Sequence, residues 1–403
     1  MDVTFEYIAA TLVIFILLGF AIFTVASLTT TQVDLLGQQQ LFPVAQQAVD
    51  KILLTRGEPL DWGENITVNG SLLVDFGLAA ASPHTDAYDL DINKVMRLVQ
   101  SVGTVTNALY LDPTSVGSLM GIYTGSYWNY GFRLYMVPAL NVTITVNDTA
   151  SPPLTFVVNV KNAQGVPARN AFVQVKYFDF YVYKDTGGGP AQDVFDWSSV
   201  FASAYTDYAG NASLTFSSAP SPAQGVVNPQ EVFVVTVSAD YYGLEANSIL
   251  ELSTVPSNLD MLIEGQYLIG NFTGVTGIPK SANHLQLEAS VIELTDNLNV
   301  ILNPATNVTT GNAGYVFNQG GKNYKVFQLV NPVSENVILA GLMVKTTGQS
   351  FFAVAFRPVL PVALDYRSHA VATAGLQAIT IERLVHMGRN SYVVDLTIWR
   401  MVI

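Results

Sequence analysis

Residues 7–33 carry no charged side chain, and the first Lys or Arg of the chain is Lys51. Nothing else in the sequence restricts its folding as strongly, because so apolar a stretch must be covered by protein or lipid. The run 7–28 is long enough to cross a bilayer core as a helix rising about 1.5 Å per residue. A secretory signal needs a basic region ahead of its apolar core, and only Asp2 and Glu6 precede this one, which argues against a discarded signal. The periodicity continues downstream. Leu41, Ala45, Ala48, Val49, Ile52 and Leu53 recur at three- and four-residue spacings, as one face of an amphipathic helix does, and Gly57 supplies a stop. Residues 1–56 therefore read as one long helix, apolar in its first half and amphipathic in its second, with Gly37 and Pro43 as bend points.

The rest of the chain changes character. Residues 57–149 read as a Gly- and Pro-punctuated connector, a short helix and the first strands of a β domain. "DLDIN" imitates the start of a calcium loop, but Lys94 stands where that loop needs Gly and Gln100 where it needs Glu, so Asp91 is expected to cap a helix instead. Residues 150–255 read as a β-sandwich of hairpins, and 256–403 as the remainder of a β-rich domain into which the sandwich is inserted. Two tandem β domains are the alternative. The fold class expected is α+β: a long N-terminal hydrophobic helix followed by mainly β domains of sandwich type.

Composition narrows the function. With no Cys there are no disulfides, thiolate metal sites or cysteine nucleophiles. A net charge of −13 with 18 scattered Lys and Arg speaks against nucleic acid as a partner. Charged residues make up only 12% of the chain, so its surface must be solvated by neutral polar groups or by something attached. Asn-X-Ser/Thr sites stand at Asn65, Asn69, Asn141, Asn147, Asn211, Asn271 and Asn307, each an acceptor for an N-linked glycan if the chain is exported.

Two resemblances follow from these residues. A short acidic-tipped N-terminus, an apolar helix running into an amphipathic one, and a β-rich remainder resemble archaeal type IV pilin-like proteins. In that family the apolar helices bundle into a filament core and the β domains form an outer sheath. Glu6 sits one position later than the glutamate of bacterial relatives, whose carboxylate offsets a neighbouring amino group; it also suits a helix start electrostatically. The family's basic leader does not precede Met1, which leaves a leader already removed or a plain N-terminal anchor as alternatives. Separately, Gly165, Pro167, Ala171 and Val173, followed by Thr206, Asp207 and Gly210, are similar to a motif of immunoglobulin-like and prealbumin-like modules in microbial surface proteins.

The first resemblance implies an extracellular cell-surface filament whose partner is the chain itself, membrane-inserted before assembly. Glu6, Ile14, Leu17, Phe20 and Phe23 would lie on its polymerising helix, and adhesion or surface contacts would be its role. A monomeric membrane-anchored adhesin or envelope protein is the alternative. No enzymatic signature is found: the histidines at 84, 284, 369 and 386 form no metal-ligand pair, "DTGGGPAQD" and "NQGGKNY" lack phosphate-loop spacing, and no GxSxG elbow occurs. No cofactor is expected beyond glycans. The aromatic stretches "KYFDFYVYKD" and "YWNYGF" fit a core and a subunit contact better than a carbohydrate platform.

Overall fold

The computed structural model describes residues 15, 17–24, 41–80, 87–185, 192–222, 230–252, 364–368 and 378–400, with gaps at 66, 103–104, 108 and 125–126, and the backbone of eight strands between 260 and 356. The protein is mainly β with few helices. Of the long N-terminal helix expected over 1–56, residues 17–24 and 41–54 are helical, and the intervening 25–40 lie outside the described residues.

The helix 41–54 buries Leu41, Ala45, Ala48, Val49, Ile52 and Leu53, the face selected by the three- and four-residue spacing. Gly57 follows at φ +71°, where a Cβ would meet Trp62 Nε1 at 2.7 Å and the Asp75 carbonyl at 2.9 Å, so only glycine passes. The short helix Ile92–Met96 starts at Asp91, whose carboxylate accepts from the N–H groups of Asn93 and Lys94. The helix Pro113–Leu119 is capped in the same manner by Asp112.

Strands β1 (Ser101–Val102) and β2 (Val105–Thr106) form one small ribbon, and β3 (Tyr123–Thr124) and β4 (Tyr127–Trp128) another. Then follow β5 (Tyr130–Pro138), β6 (Leu140–Val146), β7 (Thr155–Asn162), β8 (Phe172–Asp185), β9 (Gln192–Tyr205), β10 (Asn211–Thr215), β11 (Gln230–Tyr241) and β12 (Leu244–Glu251). The strands β13 (Asp260–Glu264), β14 (Tyr267–Asn271), β15 (Gln286–Leu294), β16 (Val300–Asn307), β17 (Phe317–Gln319), β18 (Lys322–Leu329), β19 (Ile338–Thr346) and β20 (Gln349–Phe356) come next. The chain closes with β21 (Leu364–Arg367), β22 (Ala378–Met387) and β23 (Asn390–Arg400).

Three structural units result. The first is an antiparallel sheet in the order β21-β5-β23-β22. Phe132, Leu134, Met136, Ile381, Val385, Val394, Leu396 and Ile398 on one face share a hydrophobic core with the helix 41–54 and with Trp62, Phe76, Val95 and Met96. Intervening residues such as Arg133, Tyr135 and Asp395 are only half-buried, the two-residue alternation of a sheet covered on one side. Gly131 stands opposite Trp399 in the β5–β23 ladder, and a Cβ there would lie 2.1 Å from the indole.

The second unit is a sandwich of β10-β7-β6 against β12-β11-β8-β9. Its core holds Leu140, Val142, Phe156, Val158, Val160, Val173, Val175, Tyr177, Leu214, Val235 and Val237. The motif residues have a physical task here. The buried Thr206 hydroxyl donates to the Ala168 carbonyl and accepts from the Ala171 N–H, tying the start of β8 to the end of β9. Asp207 accepts from the N–H groups of Ala209 and Asn211. Gly210 turns at φ +78° with no room for a Cβ, which would come within 2.4 Å of the Val160 carbonyl. The sandwich meets the first sheet where Glu245 of β12 pairs with Asn390 of β23 in parallel and the Glu245 N–H donates to Ser391 Oγ.

The third unit is the antiparallel order β13-β14-β18-β16-β15-β19-β20, with β17 on β18. Two boundaries read from the sequence are corrected by this topology. β6, placed before the sandwich by the 150–255 division, is one of its strands, because it pairs with β7 along its whole length and contributes Leu140 and Val142 to its core. Residues 256–403, read as one unit, divide among the described strands: β13 to β20 pair among themselves, whereas β21 and β23 pair with β5 and β22 with β23.

Candidate functional site

Two surfaces and one buried cluster carry what chemistry the described residues hold. The first surface is formed by the helical residues 15 and 17–24. Leu17, Phe20 and Phe23 are 64%, 71% and 72% exposed, and Phe15, Leu18 and Ile22 are comparably open. These residues surround the helix on all sides, whereas 41–54 presents one face, Leu41, Ala45, Ala48, Val49, Ile52 and Leu53, to the core and leaves Phe42 and Leu54 exposed. Glu6 and Ile14 lie outside the described residues. Among the described residues no helix is long and apolar enough to cross a membrane.

The second surface is a cleft of about 440 Å³ between the first sheet and the sandwich. Tyr135, Asn141, Gln164, Glu382 and Asp395 line it. Glu382 and Asp395 stand directly opposite each other across the β22–β23 ladder. Burial raises the Asp395 carboxyl, and the facing Glu382 adds to this. Beside them Arg133 forms a two-pronged pair with Asp365, at 2.7 and 3.0 Å, and stacks on Tyr135 at 4.7 Å. That hydrogen bond holds Asp365 below the usual carboxylate range. Val137, Pro138, Ala163 and Val393 complete the lining, so the cleft sets two carboxylates beside apolar surface, with the neighbouring guanidinium already engaged.

The buried cluster lies on β8 and β9. Tyr177 Oη, both oxygens of Asp179 and Ser198 Oγ are buried without hydrogen-bond partners, and Asp179 and Ser198 are cross-strand neighbours. Burial, reinforced by the charge of Glu231, pushes Asp179 up to about 8, so it is mostly protonated at neutral pH. The sequence reading missed this group. In "KYFDFYVYKD" Asp179 alternates with Phe178 and Phe180, which suggests a polar outward face; in the structure β8 is covered on both faces there, and Phe178 and Phe180 are buried as well.

The remaining candidates scatter. Asn65, Asn69, Asn141, Asn147 and Asn211 do not converge. Asn271 and Asn307 end β14 and β16. His84, His284 and His369 lie outside the described residues, whereas His386 Nδ1 sits 3.3 Å from Ser391 Oγ. That serine is fully buried and also takes the Glu245 N–H, so the pair joins strands and offers no open nucleophile. Among the described residues, no three His, Cys, Asp or Glu side chains gather as a metal site.

No protein-family model matches the chain, and no curated protein is significantly similar to it.

Proposed function

We propose that the chain is the structural subunit of an archaeal extracellular filament of the type IV pilus kind, polymerising through its N-terminal apolar helix with its β domains outward. The observation that carries this reading is the exposure of Phe15, Leu17, Leu18, Phe20, Ile22 and Phe23 on every side of one helical stretch. Burying each such side chain is worth roughly 1.5–3 kcal/mol, and copies of the same helix supply the missing cover. A contact repeated head to tail without closing generates an open helical polymer. The helix 41–54 then ties the filament core to the sheet β21-β5-β23-β22, on which it already packs. Adhesion or surface contact suits the outward β units.

Leu17→Lys tests the reading, since a charge buried in an apolar bundle is costly. Loss of filaments, with the β units still folded by circular dichroism, is the expected result. Abundant normal filaments from this variant would refute it, and a chain held in the membrane fraction without filaments would make the helix an anchor instead.

A further inference from the structure

We propose that Asn69 is the preferred acceptor of an N-linked glycan in the folded chain, ahead of the other six Asn-X-Ser/Thr sites. The inference rests on the exported reading above for its biological setting, though not for its test.

A transferase must reach the amide nitrogen of the acceptor and the hydroxyl two residues on, in backbone that is not locked in a ladder. Four of the seven sites fail this. Asn141 lies inside β6, Asn211 begins β10, and Asn271 and Asn307 end β14 and β16, each paired to a neighbouring strand. Asn211 is further held by Asn159, whose Nδ2 donates to its Oδ1 at 2.7 Å. Asn65 is aligned with the Thr67 hydroxyl as Asn69 is with Ser71, but it is half-buried and one N–H of its reacting nitrogen donates to Asp61 at 3.1 Å, a bond that must be given up. Asn147 is exposed, but Asp148 follows it, and backbone hydrogen bonds hold that carboxyl low and charged. A fixed negative charge beside the acceptor repels the anionic saccharide donor.

Asn69 has none of these obstacles. It is exposed, in a turn where its carbonyl accepts from the N–H groups of Leu72 and Leu73. Its Oδ1 accepts from Ser71 N–H at 3.1 Å, Ser71 Oγ at 2.6 Å and Leu72 N–H at 3.2 Å, while its Nδ2 has no partner among the described residues. The side chain and the required hydroxyl are therefore already aligned. Gly70 packs close to the helix Pro113–Leu119, with Ser115 Oγ 3.0 Å from where a Cβ would be, so the turn is held in place. Leu72 and Val74 are exposed nearby in sequence, and a glycan at this turn would shield them.

The reaction forms a C–N bond between Asn69 Nδ2 and the anomeric carbon of a lipid-pyrophosphate-linked saccharide. The anomeric C–O bond breaks, the lipid pyrophosphate leaves with the electron pair, and Nδ2 gives up one proton to a transferase base.

The test treats the purified, folded full chain in detergent with a lipid-linked oligosaccharide and a transferase that accepts any Asn-X-Ser/Thr site, and follows each peptide by mass spectrometry. Asn69 should be modified about ten-fold or more faster than Asn211, which must first open its ladder, and the difference should vanish in denatured chain. Asn69→Gln should remove the fast phase; Asn211→Gln should not. Modification of Asn69 no faster than of Asn65, Asn147 or Asn211, or no modification of Asn69 in the folded chain, overturns the proposal. Because the transferase is supplied, neither outcome depends on whether the chain is exported or forms filaments.

Discussion

The Arg97 guanidinium donates to the Trp62 carbonyl at 2.7 Å, and its carbon lies 5.9 Å from the centre of the Trp62 ring. The same buried group also donates to the carbonyls of Leu109, Asn65 and Val68, so one side chain satisfies four backbone acceptors. Truncation leaves those carbonyls buried and unpaired at roughly 1–3 kcal/mol each. Arg97→Met is therefore expected to cost on the order of 3–5 kcal/mol by urea unfolding, and Arg97→Lys, which lacks the fork, should recover only part of it. A loss under about 1 kcal/mol, within the range of ordinary surface substitutions and their neighbours, would show that the loops hold without it.

Gly131 and Trp399 make a sharper steric prediction. Any Cβ at position 131 overlaps the indole at 2.1 Å, and Trp399 is buried among neighbours that give it little room. Gly131→Ala should destabilise the first sheet by about 1–3 kcal/mol, the usual cost of overpacking, with a shift in tryptophan emission. An unchanged melting temperature and spectrum would mean that the ring moves freely.

Thr206 is predicted to matter through its hydroxyl alone. Thr206→Val keeps the shape but strands the Ala168 carbonyl and the Ala171 N–H, a loss of about 2 kcal/mol or more, whereas Thr206→Ser should restore most of it. Equal stability of the valine and serine variants would contradict the bridging role.

Asp179 sets a pH dependence. Its folded carboxyl is raised to about 8, well above the ordinary unfolded value, so the folded state binds the extra proton. Stability from this group is full below the unfolded value and declines as pH rises toward 8, by about 1.4 kcal/mol per pH unit. Burial also raises Glu231 and Glu251, with the same sign. Denaturation at pH 5, 7 and 9 should show Asp179→Asn flattening this decline and exceeding the parent in stability at pH 9. Parallel curves for the two proteins would place the pH dependence elsewhere.

What the sequence discloses depends on whether one periodicity accounts for a segment. Ile52 and Leu53 fall on the buried face of their helix because one side of it meets a core, and Asp91 caps as its position suggests. Thr206 and Gly210 are legible through their motif, since the turn admits few other residues. Asp179 is not, because β8 is buried on both faces and alternation no longer separates inside from outside. The membership of β6 in the sandwich is hidden for a different reason: a one-residue link, Ala139, joins it to β5, and nothing local marks a change of unit. Of the proposed assembly helix, the sequence supplies the apolar content, and the structure adds that residues 15 and 17–24 are exposed among the described residues.

In the proposed filament, other copies of the chain cover this stretch. Material sheared from native cells, imaged by electron microscopy with its subunit identified by mass spectrometry, tests it most directly. Uniform filaments built from this chain, with the segment 15–24 intact, are expected. Recovery of the chain only as single molecules from detergent-extracted membrane, with no filament containing it, would contradict the account.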